Sequence, residues 1–271
     1  LFKHVSVSFS LTKPNFRQLI YKLEMKKFGL IGFPLTHSFS QKYFTNKFEQ
    51  EGINDAQYHL LSLADINDFP QILEDTAFRG INVTIPHKIA VLPFLDEIDQ
   101  DAKGVGAVNC IKVVQDGNTK KLIGYNTDAY GFQNSITPLL DAHHQKALIL
   151  GNGGAAKAVK YVFEKLGINY KVVSRTAQQG MFTYEDLTQE VLNAYHIIVN
   201  TSPLGTYPNV EEFPNIPYQF VTNKHILYDL VYNPAETAFL AKGKANGAKT
   251  KNGYEMLELQ AIKSWEIWNE A

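Results

Sequence analysis

Residues 81–88 read Ile-Asn-Val-Thr-Ile-Pro-His-Lys, and they predict a strand followed by the start of a helix. Aliphatic residues alternate with Asn82 and Thr84, which predicts a strand with one buried face and one short polar face. Pro86 lacks an amide hydrogen and ends the strand, and the residues after it predict a helix. Lys88 would then lie just beyond the carboxyl end of the strand, where open α/β sheets bind ligands.

The length and composition predict a globular protein with more than one core. A chain of 271 residues exceeds what one core usually fills, so we expect two domains. With 45% hydrophobic and 20% charged residues and a net charge of −1, neither nucleic acid nor an anionic membrane is expected as a partner. The single cysteine, Cys110, cannot form an internal disulfide, and no run of about 18 apolar residues predicts a membrane span. We therefore expect a cytoplasmic protein.

Residues 1–24 differ from the rest of the chain. They contain neither the apolar segment of a signal peptide nor an acid-poor, Arg-rich transit pattern, and no helix or strand period persists through them. At Met25 the sequence changes to a good buried strand. We predict that the segment before Met25 is disordered or dispensable, and a truncation beginning at Met25 that failed to fold would contradict this.

Strands and helices alternate from residue 27 onward. The first three strand and helix pairs are predicted at 27–33 and 41–50, 58–63 and 66–74, and 81–85 and 88–98. This alternation predicts a mostly parallel sheet with right-handed crossovers. Two further predicted strands, 106–114 and 121–125, flank Gln-Asp-Gly-Asn-Thr, which predicts a hairpin at the edge of the sheet.

A second set of elements begins near residue 128. Its strands are predicted at 147–150, 170–173, 196–200 and 226–230, and its helices from the glycine-rich turn to Leu166 and at 184–193. Four prolines between residues 203 and 217 mark a long irregular connection, and such loops are often functional. The final predicted helix, Glu255–Trp268, has an apolar stripe that would pack back on the first domain.

The turn after the strand at 147–150 predicts a dinucleotide site. Gly151, Gly153 and Ala156 match the pattern Gly-x-Gly-x-x-Ala, with an apolar strand before them and an amphipathic helix after them. Two glycines let the chain turn tightly and approach a pyrophosphate, and the helix N-terminus then faces the anion. The alternative, a generic tight turn, fits this context less well. We expect a Rossmann-like domain here.

The end of the next strand distinguishes between two cofactors. NAD binding normally places an acid about 20 residues past the glycines, whereas this chain has Ser174, Arg175 and Thr176. A guanidinium with two hydroxyls suits a 2′-phosphate, because Arg presents fixed donors to phosphate oxygens. NADP(H) is therefore the predicted cofactor. The alternative is that Arg175 is an ordinary surface cation.

Several polar residues follow or end strands of the first set and could face one crevice. They are Ser38, Ser40, Asn109, Asn126, Thr127 and Asp128. Each alone is typical of a turn, because Ser, Asn and Asp form hydrogen bonds with nearby backbone. No metal site is predicted, since the eight histidines lack a convincing cluster of ligands.

Eight motifs that occur in order carry a resemblance to a known family. They are Gly32-Phe-Pro-Leu-Thr-His-Ser-Phe-Ser, Asn82-Val-Thr-Ile-Pro-His-Lys, Gly106-Ala-Val-Asn, Gly124-Tyr-Asn-Thr-Asp, Gly151-Asn-Gly-Gly-Ala, Asn200-Thr-Ser-Pro-Leu-Gly, Tyr228-Asp-Leu-Val-Tyr-Asn-Pro and Asn252-Gly-Tyr-Glu-Met-Leu-Glu-Leu-Gln. From about residue 27 to the C-terminus the chain resembles the shikimate dehydrogenases. Eight collinear motifs are far more specific than the glycine turn alone.

The resemblance implies a reversible, NADPH-dependent reduction of a small-molecule substrate, 3-dehydroshikimate, to shikimate in aromatic amino-acid biosynthesis. Lys88 and Asp128 match the catalytic pair of the family. The residues matched to the substrate carboxylate are Ser38, Ser40, Thr84 and Tyr232, and those matched to its ring hydroxyls are Asn82, Asn109 and Gln260. The matched cofactor positions are Gly151, Asn152, Gly153, Gly154, Ala155, Ser174, Arg175, Thr176, Thr201, Leu204 and Gly253.

The resemblance also implies an α/β fold of two domains and a monomer or homodimer. A substrate-binding and catalytic domain with a mostly parallel sheet would comprise residues 25–126 and be completed by the C-terminal helix, 255–271. A Rossmann-like NADP-binding domain would comprise residues 127–254.

Departures from the family pattern leave alternatives open. Ser174 stands where Asn is common, and Gln178 and Gln179 occupy a region where relatives have a basic residue, which would soften the preference for NADP. Gln41 and Thr206 replace a common Pro and Met.

The alternatives are a quinate-active paralogue that uses NAD, a catalytically silent NADP-binding sensor and, by analogy of fold alone, a folate-linked dehydrogenase. A sensor would have no need of the proton-transfer pair.

Overall fold

The structure, a computed structural model, describes residues 25–35, 38–116 and 119–270. Within these residues, strands and helices build two β-sheets, so the predicted α/β class is confirmed. The predicted N-terminal extension, residues 1–24, lies outside the described residues. So do His37 and the two residues at the tip of the predicted hairpin, 117 and 118.

Six described strands form the first sheet in the spatial order β2-β1-β3-β5-β6-β4. Their bounds are β1 Lys26–Gly32, β2 Ala56–Ser62, β3 Phe78–Val83, β4 Glu97–Ile98, β5 Cys110–Asp116 and β6 Thr119–Tyr125. β1 pairs in parallel with β2 and β3, whereas β5 pairs antiparallel with β3 and β6. The predicted β5–β6 hairpin is thus confirmed, and the short β4 forms the edge beyond it.

The second sheet has the order β11-β10-β9-β7-β8, and its described pairs are all parallel. Its strands are β7 Lys146–Leu150, β8 Asn169–Val173, β9 Ile197–Asn200, β10 Ile226–Asp229 and β11 Lys249–Lys251. Ala147 and Ile149 pack on one face against Phe132 and Phe163, whereas Leu148 belongs to the core on the other face. Burial on both faces explains why these strands appear in the sequence as continuous apolar runs.

The described helices surround both sheets. They are α1 Phe39–Gln50, α2 Phe69–Ile72, α3 His87–Ala90, α4 Gln100–Val105, α5 Thr127–Ile136, α6 Gly154–Lys165, α7 Gln189–Ala194, α8 Ala238–Ala245 and α9 Tyr254–Asn269. Short 3-10 helices occur at Ile66–Asp68, Leu92–Phe94, Thr137–Leu139 and Tyr218–Phe220. None of the helices in the described part of the chain is long and apolar enough to span a membrane.

The C-terminal helix α9 packs on the first sheet. The Trp268 ring stacks on Phe28 with centroids 5.0 Å apart, and its indole nitrogen donates to the Ile111 carbonyl at 3.0 Å. A Cβ at Gly80 would lie 2.3 Å from the Trp268 ring, so only glycine allows this contact. α9 also crosses α5 closely, because a Cβ at Gly131 would lie 2.4 Å from the Met256 carbonyl oxygen.

Some sequence predictions about local structure are wrong. The predicted helix over 88–98 is instead α3, the 3-10 turn Leu92–Phe94 and strand β4, because Pro93 cannot donate an intrahelical hydrogen bond. Gly106, placed in a strand by the prediction, has a φ of +67° and ends α4, which was not foreseen. The Asp99 carboxylate starts α4 by accepting from the Asp101 amide at 2.8 Å.

Other predicted helix boundaries also differ from those in the structure. The predicted helix over 184–193 begins only after Thr188, whose hydroxyl accepts from the Val191 amide. The predicted helix over 66–74 is a 3-10 turn followed by the short α2. Helices α5 and α8 and strand β11 were not predicted. These elements are ten residues long or shorter, so tertiary packing stabilises them more than local propensity does.

Candidate active site

A cavity of about 370 Å³ lies at the carboxyl ends of β1 and β3, bordered also by α5, α9 and Tyr232. Parallel strands end on the same side of a sheet, which is why side chains far apart in sequence meet here. All nine residues that the family resemblance matched to the substrate or to proton transfer line this cavity. They are Ser38, Ser40, Asn82, Thr84, Lys88, Asn109, Asp128, Tyr232 and Gln260.

Lys88 and Asp128 form an ion pair at the cavity wall. The Lys88 ammonium lies 2.6 Å from the Asp128 carboxylate, and the two side chains are 28% and 21% exposed. Lys88 is the second residue of α3, which is anchored by the buried His87 ring, 2.6 Å from the Leu63 carbonyl oxygen. The ammonium therefore has a defined direction and still reaches solvent and a ligand.

The carboxylate of Asp128 is placed by the start of α5. Asn126 is the N-cap of this helix, and its side-chain oxygen accepts from the Ala129 amide at 3.0 Å. Its amide nitrogen donates to the Ala107 carbonyl at 2.9 Å, which ties the helix start to the first sheet. A carboxylate in the first turn is also favoured by the helix dipole.

A buried hydrogen-bond network lies beneath the cavity. The Asn82 side-chain oxygen accepts from the Tyr58 hydroxyl at 2.8 Å, and its nitrogen donates to the Ser264 hydroxyl at 3.1 Å. The Asn109 oxygen accepts from the Thr127 amide at 2.6 Å. Burial raises the pKa of Tyr58 well above its usual value, so the phenol remains a donor. The network fixes the orientation of both amides.

Tyr58 and Ser264 were not assigned a role from the sequence. Tyr58 belongs to an ordinary alternating strand, and Ser264 lies on the apolar stripe of the last helix. A small polar residue on an otherwise apolar stripe was the one signal in the sequence, and the structure shows that Ser264 is completely buried. Thr127, one of the six polar residues that the sequence placed after strands of the first set, approaches the Ser264 hydroxyl at 3.2 Å and so joins α5 to α9.

Three other predicted residues border the opening of the cavity. The Ser38 hydroxyl caps α1 by accepting from the Gln41 amide at 3.3 Å, a bond that a proline at position 41 could not form. Ser40 lies in the first turn of the same helix. Tyr232 is 42% exposed and packs edge-on against Phe39, with ring centroids 6.2 Å apart. These side chains are accessible to a ligand.

The glycine turn connects β7 to α6. Gly151 has a φ of +108°, and a Cβ there would lie 3.1 Å from the Thr201 hydroxyl oxygen, so the position requires glycine. A Cβ at Gly153 or Gly154 would meet nothing within 4 Å, which leaves open space above the turn. Ala156 is completely buried, which permits close packing of helix and strand. The first amides of α6 can therefore face an anion.

The remaining predicted cofactor residues follow neighbouring strands. Ser174, Arg175 and Thr176 come directly after β8, and Arg175 is exposed. Thr201, after β9, donates from its hydroxyl to the Leu150 carbonyl at 2.9 Å. Strands β8, β7 and β9 are adjacent, so these residues and the glycine turn share one edge of the sheet.

Three further predicted positions complete the cofactor set. Asn152 projects outward at the turn and accepts from the Lys160 ammonium at 2.5 Å. The Leu204 carbonyl accepts from the Asn200 side chain at 3.4 Å. Gly253 starts α9, and a Cβ there would lie 2.2 Å from the Leu230 carbonyl oxygen, so close packing alone already requires this glycine.

Among the described residues, one group has the spacing of metal ligands: Asp141, His143 and His144. The Asp141 carboxylate binds the Lys249 ammonium at 2.7 Å. One ring nitrogen of His144 accepts from the Asp141 amide at 2.8 Å, and the other lies 3.1 Å from the Lys224 carbonyl oxygen. These groups are already engaged within the protein, and none of them lines the cavity.

Known proteins resemble this chain along most of its length. The family model for the shikimate dehydrogenase substrate binding domain matches residues 30–111. A shikimate dehydrogenase (NADP+) of Carboxydothermus hydrogenoformans is 40% identical over 263 residues, which are 90% of this chain and 92% of that protein. The enzyme of the same name from Methanococcus aeolicus is 36% identical, with 90% and 91% covered.

A solved structure has the same fold. The shikimate 5-dehydrogenase of Thermus thermophilus, in complex with NADP(H) and shikimate, aligns with a TM-score of 0.76 and 29% identity, covering 90% of this chain and 94% of that chain. The agreement extends through both sheets rather than through one of them. Because sequence and fold agree over nearly the whole length of these relatives, the chain belongs to the shikimate dehydrogenase family.

Proposed function

We propose that this chain catalyses the reversible, NADPH-dependent reduction of 3-dehydroshikimate to shikimate. The observation that carries the proposal is the 2.6 Å Lys88–Asp128 pair in a cavity that seven other polar residues from the family motifs also line. A volume of about 370 Å³ suits a small polar metabolite. The relatives named above are shikimate dehydrogenases that use NADP, which supports the same substrate and cofactor here.

The substrate would be oriented from two sides. The hydroxyls of Ser38, Ser40 and Thr84, with Tyr232, would hold its carboxylate at the opening of the cavity. The amides at positions 82, 109 and 260 would bind its ring hydroxyls from the buried end. Because the buried network holds Asn82 and Asn109 in one orientation, they would present the same hydrogen-bonding groups to every substrate molecule.

Lys88 would act as the general acid in reduction and as the general base in oxidation. Its ammonium, placed beside the reacting carbonyl oxygen, would stabilise negative charge as it develops and then donate the proton. In the reverse direction the neutral amine would take the proton back. Asp128, 2.6 Å away, would hold the ammonium in position.

NADPH, when bound, supplies the hydride. The residues present fit this cofactor: the open space above Gly153 and the first turn of α6 suit the pyrophosphate, and Arg175 suits the 2′-phosphate. The loop after β9, Thr201–Leu204, would border the dinucleotide. Beside Arg175 the chain has Ser174, Gln178 and Gln179 and no second basic residue for the 2′-phosphate, so we expect measurable activity with NADH.

We further propose the division of labour between the two parts of the chain. Residues 25–126, with the C-terminal helix, would bind the substrate and carry out proton transfer. Residues 127–254 would bind NADP(H). Small molecules are the proposed ligands, and the protein would act as a monomer or homodimer.

The test is a spectrophotometric assay that pairs each nicotinamide cofactor with shikimate and with quinate. We expect the highest kcat/KM for shikimate with NADP+. A higher value for quinate with NAD+ would identify the chain as a quinate-active paralogue. Cofactor binding without turnover of either substrate would instead support a silent sensor.

A further inference from the structure

Asp229, the last residue of β10, is a completely buried carboxylate outside the proposed catalytic pair. Three neutral groups donate to it. The Asn200 amide nitrogen and the Val231 backbone amide bind Oδ1 at 2.9 and 3.0 Å, and the Thr237 hydroxyl binds Oδ2 at 2.6 Å. A buried carboxylate is costly unless it has partners of this kind. Asp229 ends β10, a strand that is paired on both sides, and its three donors come from three different segments of the chain.

Oδ1 of Asp229 controls the loop that follows β9. An ionised carboxylate only accepts hydrogen bonds, so the Asn200 side chain must point its nitrogen toward Asp229. Its oxygen then accepts from the backbone amide of Ser202 at 3.0 Å and from the Ser202 hydroxyl at 2.6 Å. The same Asn200 nitrogen approaches the Leu204 carbonyl at 3.4 Å. The conformation of loop 201–204 therefore depends on the orientation of one amide.

The same oxygen holds the substrate side of the molecule. Val231, whose amide donates to Oδ1, directly precedes Tyr232 in the cavity wall. The Val231 carbonyl in turn accepts from the Gly253 amide at 3.1 Å, at the start of the helix that carries Gln260. One carboxylate oxygen is thus linked through Asn200 to loop 201–204 and through Val231 to the segment that presents Tyr232.

We propose that Asp229 is a positioning residue that keeps loop 201–204 and Tyr232 in register, so that cofactor and substrate are bound with the correct relative placement. This inference rests on the proposed function for the identity of the two ligands. It concerns geometry alone, because Asp229 does not line the cavity. Burial raises the pKa of Asp229 to about 6, with partial compensation from its three donors, so the carboxylate is mostly ionised at neutral pH.

Three variants separate positioning from mere stability. Asp229→Ala removes Oδ1. Asp229→Asn retains an oxygen acceptor at that place, and its new amide can donate to the Thr237 hydroxyl oxygen. Thr237→Val removes only the donor to Oδ2 and the N-cap of α8, whose Leu240 amide lies 3.4 Å from the Thr237 hydroxyl. It serves as the structural control.

The measurements are the Kd for NADPH by fluorescence titration, the KM for shikimate and the melting temperature. For Asp229→Ala we expect Kd and KM each to rise about tenfold, as when a buried donor loses its acceptor. Asp229→Asn should restore both to within about threefold of the wild type. Thr237→Val should lower the melting temperature, while Kd and KM stay within about threefold of the wild-type values.

A fourth variant tests how the effect divides between cofactor binding and substrate binding. Asn200→Ala breaks the link to the dinucleotide loop but leaves the Val231 bond, so it should raise the Kd for NADPH without raising the KM for shikimate. Asp229→Ala with the wild-type Kd for NADPH would overturn the inference, as would equal effects of Thr237→Val or a failure of Asp229→Asn to restore binding. If the wild type does not oxidise shikimate, the proposed function fails, while the NADPH titrations still decide the inference.

Discussion

At the scale of single residues, Lys88 carries the strongest prediction. Lys88→Ala should lower kcat by roughly 10²–10⁴-fold, the usual contribution of a positioned acid–base group, with a smaller change in KM. Steady-state kinetics with shikimate and NADP+ measure both. Lys103→Ala, which removes an exposed lysine from α4, is the matched control and should leave kcat unchanged. A loss of affinity with unchanged kcat would make Lys88 a binding residue instead.

Arg175 tests the cofactor preference. Arg175→Ala should weaken NADPH binding by roughly 10-fold or more and NADH binding much less, because hydrogen bonds from a guanidinium to the 2′-phosphate are charge-assisted. Titration of the same variant with both cofactors gives the comparison, with NADH as the internal control. Equal losses for the two cofactors would remove the 2′-phosphate assignment.

Asp229 links folding stability to pH. Its pKa of about 6 in the folded protein lies above the ordinary value of 3.8, so between these values the folded state binds more protons than the unfolded state. Protonation of Asp229 therefore adds to the free energy of unfolding. This contribution is about 3 kcal/mol below about pH 4 and is lost as the pH rises through about 6. Asp229→Asn lacks this titration.

Urea unfolding of wild type and Asp229→Asn across this pH range measures the effect. The free energy of unfolding of Asp229→Asn, measured relative to that of the wild type, should rise by about 3 kcal/mol between pH 4 and pH 7. Other titrating groups are common to both proteins and cancel in the difference. A stability difference that stays constant with pH would show that the carboxyl does not titrate in this range.

At the scale of elements, the crossing of α5 and α9 determines where Gln260 lies. Gly131→Ala would place a Cβ 2.4 Å from the Met256 carbonyl oxygen and 3.2 Å from the backbone nitrogen of Gln260, so the helices must separate. We expect the free energy of unfolding to fall by about 1–3 kcal/mol, as is typical of overpacking, and the KM for shikimate to rise. Urea unfolding and kinetics check this.

Asn134→Ala provides the control for the same helix. Asn134 lies on the exposed face of α5, so its replacement should change stability by no more than about 0.5 kcal/mol and leave KM unchanged. If Gly131→Ala also had no effect on either quantity, the close crossing would not be essential for placing Gln260.

The elements also show what local sequence can predict. The hairpin, the glycine turn and α9 follow directly from turn residues and from hydrophobic period, and the structure confirms them. The helix predicted over 88–98 failed because Pro93 interrupts an otherwise helical pattern. α4 was missed because a six-residue helix produces no clear period, and only its caps, Asp99 and Gly106, mark it.

At the scale of the whole molecule, the cavity has walls from both parts of the chain. Lys88 belongs to the part with the first sheet and Asp128 to the start of α5, where the chain passes toward the second sheet. We predict that the two parts close over bound ligands, because the dehydrogenase reaction requires exclusion of water from the hydride path. Small-angle scattering should show a smaller radius of gyration with shikimate and NADP+ bound. Superimposable profiles with and without ligands would contradict closure.

The sequence by itself predicted the α/β class from hydrophobic period and turn chemistry, which are local properties of the chain. Its short motifs resemble those of one family, and that resemblance implied nine of the residues that line the cavity. The roles of those residues stay predictions. Only the tertiary structure showed that Lys88 and Asp128 lie 2.6 Å apart, that Tyr58 and Ser264 hold Asn82, and that Asn200 and Val231 both donate to Asp229. These contacts join residues up to 182 positions apart, and packing of the sheets and α9, rather than any local pattern, brings them together.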